Sequence, residues 1–168
     1  MTPAVLLLGA VTMERIAELL IARRNTARLL AKGAMEFAPR HYPAIVLFHA
    51  LWLASLWIFG STSPLNSAWL AIFLALQILR AWILTTLGPR WTTRIIVLQN
   101  APLVKSGPYR IFSHPNYIVV IGEIAVLPLC LGLLWLALAS SIANAILLLI
   151  RVRAENAALT GSRHVEHA

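Results

Sequence analysis

Along the chain, apolar positions gather into four regions, Pro3–Ala22, Pro43–Gly60, Ser67–Leu87 and Tyr117–Ile150, separated by stretches rich in Arg, Pro, Asn and Thr. About 20 apolar residues cross a hydrocarbon core of roughly 30 Å as an α-helix, so each of the first three regions predicts one membrane span. The fourth would be roughly 50 Å long as a single helix at about 1.5 Å per residue, and it overshoots the bilayer. Pro128 and Gly132 are the breakers inside it, and they predict a tight helical hairpin near residues 129–134. The expectation is an all-α integral membrane protein with a single domain over residues 1–168. Its five spans fall at about 3–22, 43–60, 67–87, 115–130 and 133–157, and an ordered cytoplasmic connector at 90–114 precedes span four.

Composition points the same way: 60% of the residues are hydrophobic and 12% charged, with a mean hydropathy of +0.78. Charge adds an orientation. Arg23, Arg24, Arg28, Lys32 and Arg40 lie between spans one and two; Arg90, Arg94, Lys105 and Arg110 lie between spans three and four; Arg151, Arg153 and Arg163 follow span five. The loops on the opposite side, around Ser61–Asn66 and Leu131–Leu134, carry no charge. Because cytoplasmic loops collect Lys and Arg, the N-terminus is expected outside and the C-terminus in the cytoplasm of a multi-pass protein of a bacterial inner membrane. The net charge of +8 is accounted for by these loops against an anionic leaflet, and no nucleic-acid motif accompanies it. The first segment lacks a basic leader and holds Glu14, Arg15 and Glu18, so it is expected to be retained. Cys130 is the only cysteine, His41, His114, His164 and His167 show no metal-ligand spacing, and Gly161–Ala168 reads as a frayed tail.

Ionisable residues within spans are costly and face a protein interior or a wet cavity. Glu14, Arg15 and Glu18 lie toward the cytoplasmic half of span one and read as a snorkelling group with a local ion pair. Arg80 and Glu123 sit at similar depth, so they face inward and pair if spans three and four are neighbours. His49, among Leu, Phe and Trp, reads as a hydrogen-bonded core residue.

The connector ends in "GPYRIFSHPNY", Gly107 to Tyr117. Pro102, Gly107 and Pro108 forbid a continuous helix, and "RIIVL" has the β-branched character of an extended piece. Pro115 suits the first position of span four, with Ser113 or His114 as its cap. A helix N-terminus offers N–H groups and partial positive charge to an anionic group, and His114 and Tyr117 add side-chain donors. The end of span five, "RVRAENAAL", reaches the same interface, so the hairpin brings Arg153 and Glu155 near His114 and Tyr117. Donors opposite a carboxylate suit a zwitterion; ordinary capping and snorkelling at two helix ends is the plainer alternative.

The order "LVKSGPYRIFSHPNY", an apolar hairpin, then "RVRAEN" resembles the isoprenylcysteine carboxyl methyltransferase family of membrane enzymes. Its pattern is approximately LVxxGxYxxxRHPxY, a hairpin and R-x-x-x-E-E. The resemblance covers roughly Trp91 to Leu159, and "LGPRWTTRIIVL" with the short length looks like the bacterial branch that methylates alkylpyrones and phenolic lipids. It implies S-adenosylmethionine bound without a Rossmann fold, with Leu103, Val104, Gly107 and Tyr109 shaping the adenosine pocket. His114, Tyr117 and Glu155 would hold the methionine end, and Pro115 and Arg153 are counted with them. Ser113 stands where the family has arginine, and Asn156 where it has a second acid. The Tyr-rich and Arg-Ile-Pro-like segment that engages a prenylcysteine carboxylate does not follow Leu159, so a farnesylated cysteine is expected to be a poor acceptor.

Methyl transfer from a sulfonium is an in-line displacement that rests on alignment and exclusion of water. His114 is the candidate base, Arg94 the candidate enolate stabiliser, and Arg80, Trp91 and Glu123 candidate acceptor-lining residues. The expected function is O-methylation of a hydroxyl on a lipophilic small molecule, with membrane lipids as the other partner and no nucleic acid or metal. The alternatives are a prenylcysteine carboxyl methyltransferase, a non-catalytic lipid-binding protein, and a transporter supported only by the charges within the spans.

Overall fold

In a computed structural model the protein is an antiparallel set of five helices: α1 (Pro3–Ala31), α2 (Tyr42–Gly60), α3 (Ser67–Leu87), α4 (Pro115–Cys130) and α5 (Leu134–His164). The structure describes residues 2–37, 39, 42–98, 101, 102 and 104–164, with side chains in α5 to residue 153. α2, α3 with the turn that follows it, and α5 are each long and apolar enough to cross a membrane. α4, with 16 residues, is shorter, and the first 20 residues of α1 include three charges.

The end of the bundle that carries the α2–α3 and α4–α5 loops, outer in the expected topology, is stitched by side chains from those loops and from the N-terminus. Thr2 Oγ1 donates to the Ser61 carbonyl at 2.7 Å, while Asn66 Oδ1 caps α3 by accepting from Ala68 and Trp69 N–H. The Asn66 N–H in turn donates to the Cys130 carbonyl at 2.9 Å. The α4–α5 hairpin lies where Pro128 and Gly132 predict it, with Gly132 at φ 71° and the N–H groups of Leu131 and Leu133 both donating to the Pro128 carbonyl. α4 packs between α3 and α5. A Cβ on Gly122 would meet Leu76 at 2.8 Å, so this glycine sets how closely α3 and α4 approach.

Two apolar clusters fill the bundle. The outer one gathers Ala4, Leu8, Val11, Trp52, Leu56, Phe73, Leu127 and Leu131; the inner one gathers Ala22, Ile83, Trp91 and Val119, with Tyr109 packed against it. Leu8, Leu56, Ile83, Val119 and Leu127 are fully buried, and in a membrane their contribution is close van der Waals packing between helices rather than escape from water.

The helices that hold the expected first and last spans run past the ends expected for those spans. α1 does not stop near residue 22 but continues to Ala31. Ala22, Asn25, Thr26 and Leu29 form its buried stripe, while Arg23, Arg24 and Arg28 face out; this is the i, i+3, i+4, i+7 spacing of an amphipathic helix, hidden from a reading of apolar runs alone. The extension is anchored because Asn25 Nδ2 donates to the carbonyls of Gly88 and Trp91, at 3.1 and 2.9 Å. α5 likewise passes residue 157 to His164, so residues 161–164 of the expected tail are helical. Residues 165–168 lie outside the described ones.

The connector is extended at "IIV", as its β-branched residues predict, but its partner was not expected. β1 (Met35–Phe37), in the α1–α2 connection, pairs antiparallel with β2 (Ile95–Val97), with Glu36 opposite Ile96. This two-stranded ribbon lies against α5, adding a small sheet to the helical bundle.

Candidate functional site

Between the two apolar clusters lies an ionic layer. Arg80 Nε donates to Glu123 Oε1 at 2.8 Å, Arg80 Nη2 donates to Glu123 Oε2, and Arg80 Nη1 donates to Glu18 Oε1 at 2.9 Å. Arg15 donates to Glu18 Oε2 at 2.7 Å and to both oxygens of Glu123, and it lies 3.5 Å from Glu14. With its amide oriented to suit its neighbours, Gln77 donates to Glu14 and Glu123. Spans three and four are neighbours and Arg80 and Glu123 pair, as their depth predicts. The snorkelling reading of span one is corrected: the local Arg15–Glu18 pair exists, but both residues reach across to α3 and α4, and Glu18 is 7% exposed. Glu18, Arg80 and Glu123 are buried, so these charges are satisfied by one another and by Arg15 rather than by solvent. His49 Nδ1–H donates to the Ile45 carbonyl at 2.8 Å; the ring is hydrogen-bonded as expected, but half-buried rather than in the core.

The second polar region lies at the inner end, where α4 begins. Pro115 is at the first turn of α4 and buried. His114 occupies the cap position without a side-chain capping bond; instead its ring stacks on Tyr117, with centroids 5.2 Å apart and planes at 19°. Pro115 has no N–H and the Tyr117 N–H donates to the His114 carbonyl, so this helix start has fewer free backbone donors than its position alone implies.

Arg151, rather than Arg153, reaches this point from α5. Its Nε donates to Tyr117 Oη at 3.3 Å and its Nη1 to the Thr93 carbonyl at 2.8 Å, whereas Arg153 is exposed. The sequence held the signal: Arg151 precedes Glu155 by four residues, one helical turn, in the R-x-x-x-E spacing. Leu103 and the side chains of Glu155 and Asn156 lie outside the described residues.

Gly107 holds the connector against α3. Its φ is +56°, and a Cβ there would sit 2.5 Å from Thr86 Oγ1 and 3.2 Å from Trp82 Nε1; the positive φ and the close wall both require glycine. Val104 is half-buried. Tyr109 and Trp91 meet in the inner apolar cluster. Trp91 is 4% exposed, and its Nε1 is buried with no hydrogen-bond partner among the described residues, as is Asn116 Oδ1 beside Tyr117. Buried polar atoms of this kind are uncommon, and an unfilled ligand contact is one cause. Asn116 was not singled out by the sequence.

Arg94 belongs to the ribbon. Its Nη1 donates to both oxygens of Glu36, at 3.1 and 3.0 Å, its guanidinium lies 4.6 Å from the centre of the Tyr42 ring, and Tyr42 Oη is 3.1 Å from Thr93 Oγ1. The structure thus joins His114, Tyr117, Arg151, Thr93, Tyr42 and Arg94 in one chain of contacts, while Arg80 and Glu123 stand apart in the ionic layer. Among the described residues no group of His, Cys, Asp and Glu could hold a metal ion.

A helical membrane protein with a polar centre at one end, built on the start of α4 and the far end of its hairpin partner, is the class these features define. The isoprenylcysteine carboxyl methyltransferase (ICMT) family matches residues 69–161, and the chain belongs to this family of membrane methyltransferases. It is 41% identical over 160 residues to the protein of Bacillus subtilis (strain 168) named uncharacterized protein YpbQ, covering 92% of this chain and 95% of that one. An uncharacterized protein of Haemophilus influenzae is 25% identical over 155 residues, 87% of this chain and 88% of its own. No solved structure matches.

Proposed function

We propose that the protein is an S-adenosylmethionine-dependent O-methyltransferase acting on a hydroxyl of a lipophilic acceptor such as an alkylpyrone or phenolic lipid, with its site on the cytoplasmic side. The observation that carries the reading is the Arg151–Tyr117 contact, which unites the HPxY element with the R-x-x-x-E element of α5. When bound, S-adenosylmethionine supplies a methyl group on a positively charged sulfur, open to in-line attack by an oxygen nucleophile. Asn116 Oδ1, buried and without a partner among the described residues, suits the ammonium of its methionine end, while Arg151 and Glu155 offer opposite charges to a zwitterion. Val104, Gly107 and Tyr109, with Leu103, bound the adenosine side. His114, whose ring does not cap the helix, takes the hydroxyl proton at a ring nitrogen as the acceptor oxygen forms its bond to carbon. Arg80 and Glu123 hold the helices in register beneath this site. Alignment and exclusion of water supply most of the rate.

Five spans and a cytoplasmic C-terminus complete the reading. The ionic layer satisfies the charges that make α1 a costly span, α4 at roughly 24 Å nearly crosses the apolar core before the hairpin, and every Arg-rich loop falls on one side. The test is to incubate the purified protein with labelled methyl donor and a lipid extract, then identify the product by mass spectrometry, with S-adenosylhomocysteine binding followed by calorimetry. A labelled methyl ether of an alkylpyrone or phenolic lipid is expected. Absence of both binding and label, or preferential esterification of farnesylcysteine, overturns the reading.

A further inference from the structure

The ionic layer sets three carboxylates, Glu14, Glu18 and Glu123, against two guanidiniums, Arg15 and Arg80. One negative charge is left over inside a helical bundle. Neither neighbouring polar group cancels it: Gln77 is neutral, and His49 of α2 spends its Nδ1–H on the Ile45 carbonyl, with no carboxylate at ion-pair distance among the described residues. We propose that a proton on Glu14 removes the excess, which makes this residue a neutral carboxylic acid open to lipid and a modification site for apolar carbodiimides. The assignment rests on α1 crossing the membrane, one part of the reading above, and is independent of the methyl-transfer chemistry.

Three observations assign the proton to Glu14 rather than to its neighbours. First, the other two carboxylates are served by charged donors. Glu18 accepts from Arg15 at 2.7 Å and from Arg80 at 2.9 Å, and Glu123 accepts on both oxygens from both arginines. Glu14 has Arg15 Nη2 at 3.5 Å, and that nitrogen already donates to Glu123. Its closer partner is the neutral Gln77 amide, 3.0 Å from Oε1, which serves the carbonyl of an acid as well as a carboxylate. Second, burial differs: the Glu18 and Glu123 side chains are 9% and 5% exposed, that of Glu14 34%. Third, the open part of Glu14 meets apolar surroundings. It lies eleven residues past the start of α1, about 17 Å into a hydrocarbon core of roughly 30 Å. Ala10, Ala17 and Ile21, on the same side of the helix, are exposed around it. Lipid tails do not solvate an ionised carboxylate, so the carboxyl that lacks a charged hydrogen bond is the one that holds the proton. Such an acid adds to a carbodiimide. Its oxygen bonds to the central carbon and its proton passes to one nitrogen; the acyl group then shifts from oxygen to nitrogen, leaving a stable N-acylurea with nothing released. An ionised carboxylate brings no proton to that step, and water would divert the intermediate before the shift.

The experiment uses the full chain in lipid nanodiscs at neutral pH, treated with dicyclohexylcarbodiimide and mapped by mass spectrometry. One added reagent mass is expected on Glu14, with Glu18 and Glu123 unmodified, and the label should be lost in Glu14→Gln. Infrared spectra should show a carboxylic acid carbonyl band that Glu14→Gln removes, a readout that does not depend on reagent access. Thermal melts of Glu14→Gln should match the parent chain, since one neutral group replaces another. A label confined to Glu18 or Glu123, an acid band that persists undiminished in Glu14→Gln, or a melt lowered as far as that of Arg80→Met would each overturn the proposal. Reaction of Glu14 with a water-soluble carbodiimide and an amine as readily as Glu36 would place residue 14 in water and overturn the span of α1 as well. If that reagent spares Glu14 while the acid band and the apolar label are both absent, α1 keeps its span and the proton assignment alone fails.

Discussion

The ionic layer and the α4 start are the two polar centres of this molecule, and they are satisfied to different degrees. In the layer every carboxylate oxygen of Glu14, Glu18 and Glu123 has a donor within reach, from Arg15, Arg80 or Gln77, and only Arg15 Nε lacks a partner. At the inner end, Asn116 Oδ1 and Trp91 Nε1 are buried without one among the described residues, His114 makes no side-chain capping bond, and the Arg94 side chain is 41% exposed. A closed network of charges gains from helix placement and has nothing left for a ligand. Open valences at the end of a helix have the opposite character. The first centre should respond to mutation as stability, the second as binding.

The largest effect should come from Arg80→Met. Removing one guanidinium leaves the buried carboxylates of Glu18 and Glu123 with Arg15 as their one shared cation, at a cost of about 3–5 kcal/mol, so the variant should unfold well below the parent in detergent thermal melts. An unchanged melting temperature would erase the contrast between the two centres. Arg151→Met and Glu155→Gln should leave the melt nearly intact yet weaken S-adenosylhomocysteine binding roughly ten- to a hundred-fold, the loss of one charged hydrogen bond. Glu166→Gln, outside the motif, should bind like the parent, and calorimetry that cannot tell Glu155→Gln from Glu166→Gln would remove Glu155 from the site.

Gly107→Ala sharpens the comparison because it probes the seam between fold and site. The substituted Cβ meets Thr86 Oγ1 at 2.5 Å at a φ of +56°, so a loss of about 1–3 kcal/mol is expected. Adding Thr86→Ala should recover the contact part of that loss but not the backbone part. Full recovery in the melt would mean that φ strain is absent. The smallest effect, about 1–2 kcal/mol, should follow Asn25→Ala, which leaves the Gly88 and Trp91 carbonyls without their side-chain donor. It should also loosen the connector, read as faster amide exchange at Trp91 than at residues of the outer cluster.

Sequence alone carried the helical membrane character, the hairpin at Pro128 and Gly132, the pairing of Arg80 with Glu123, and the family motifs, because each depends on local chemistry or on depth along a span. Hydropathy runs, helix breakers and charged positions are properties of residues and their neighbours in the chain. What crossed between distant segments needed the tertiary structure. The 22–31 extension of α1 is amphipathic and polar, and only the Gly88 and Trp91 carbonyls waiting beside it explain why Asn25 is buried. β1 is three residues long, too short to stand out from its sequence, and it exists because Ile95–Val97 offers it a ladder. Arg151 and Arg153 are chemically alike and two positions apart, yet helical rotation turns one toward Tyr117 and the other to the surface. Contacts between segments far apart in sequence obey geometry that no single segment encodes, and in this protein those contacts join the α1–α2 connection to the end of α5 across the polar inner face.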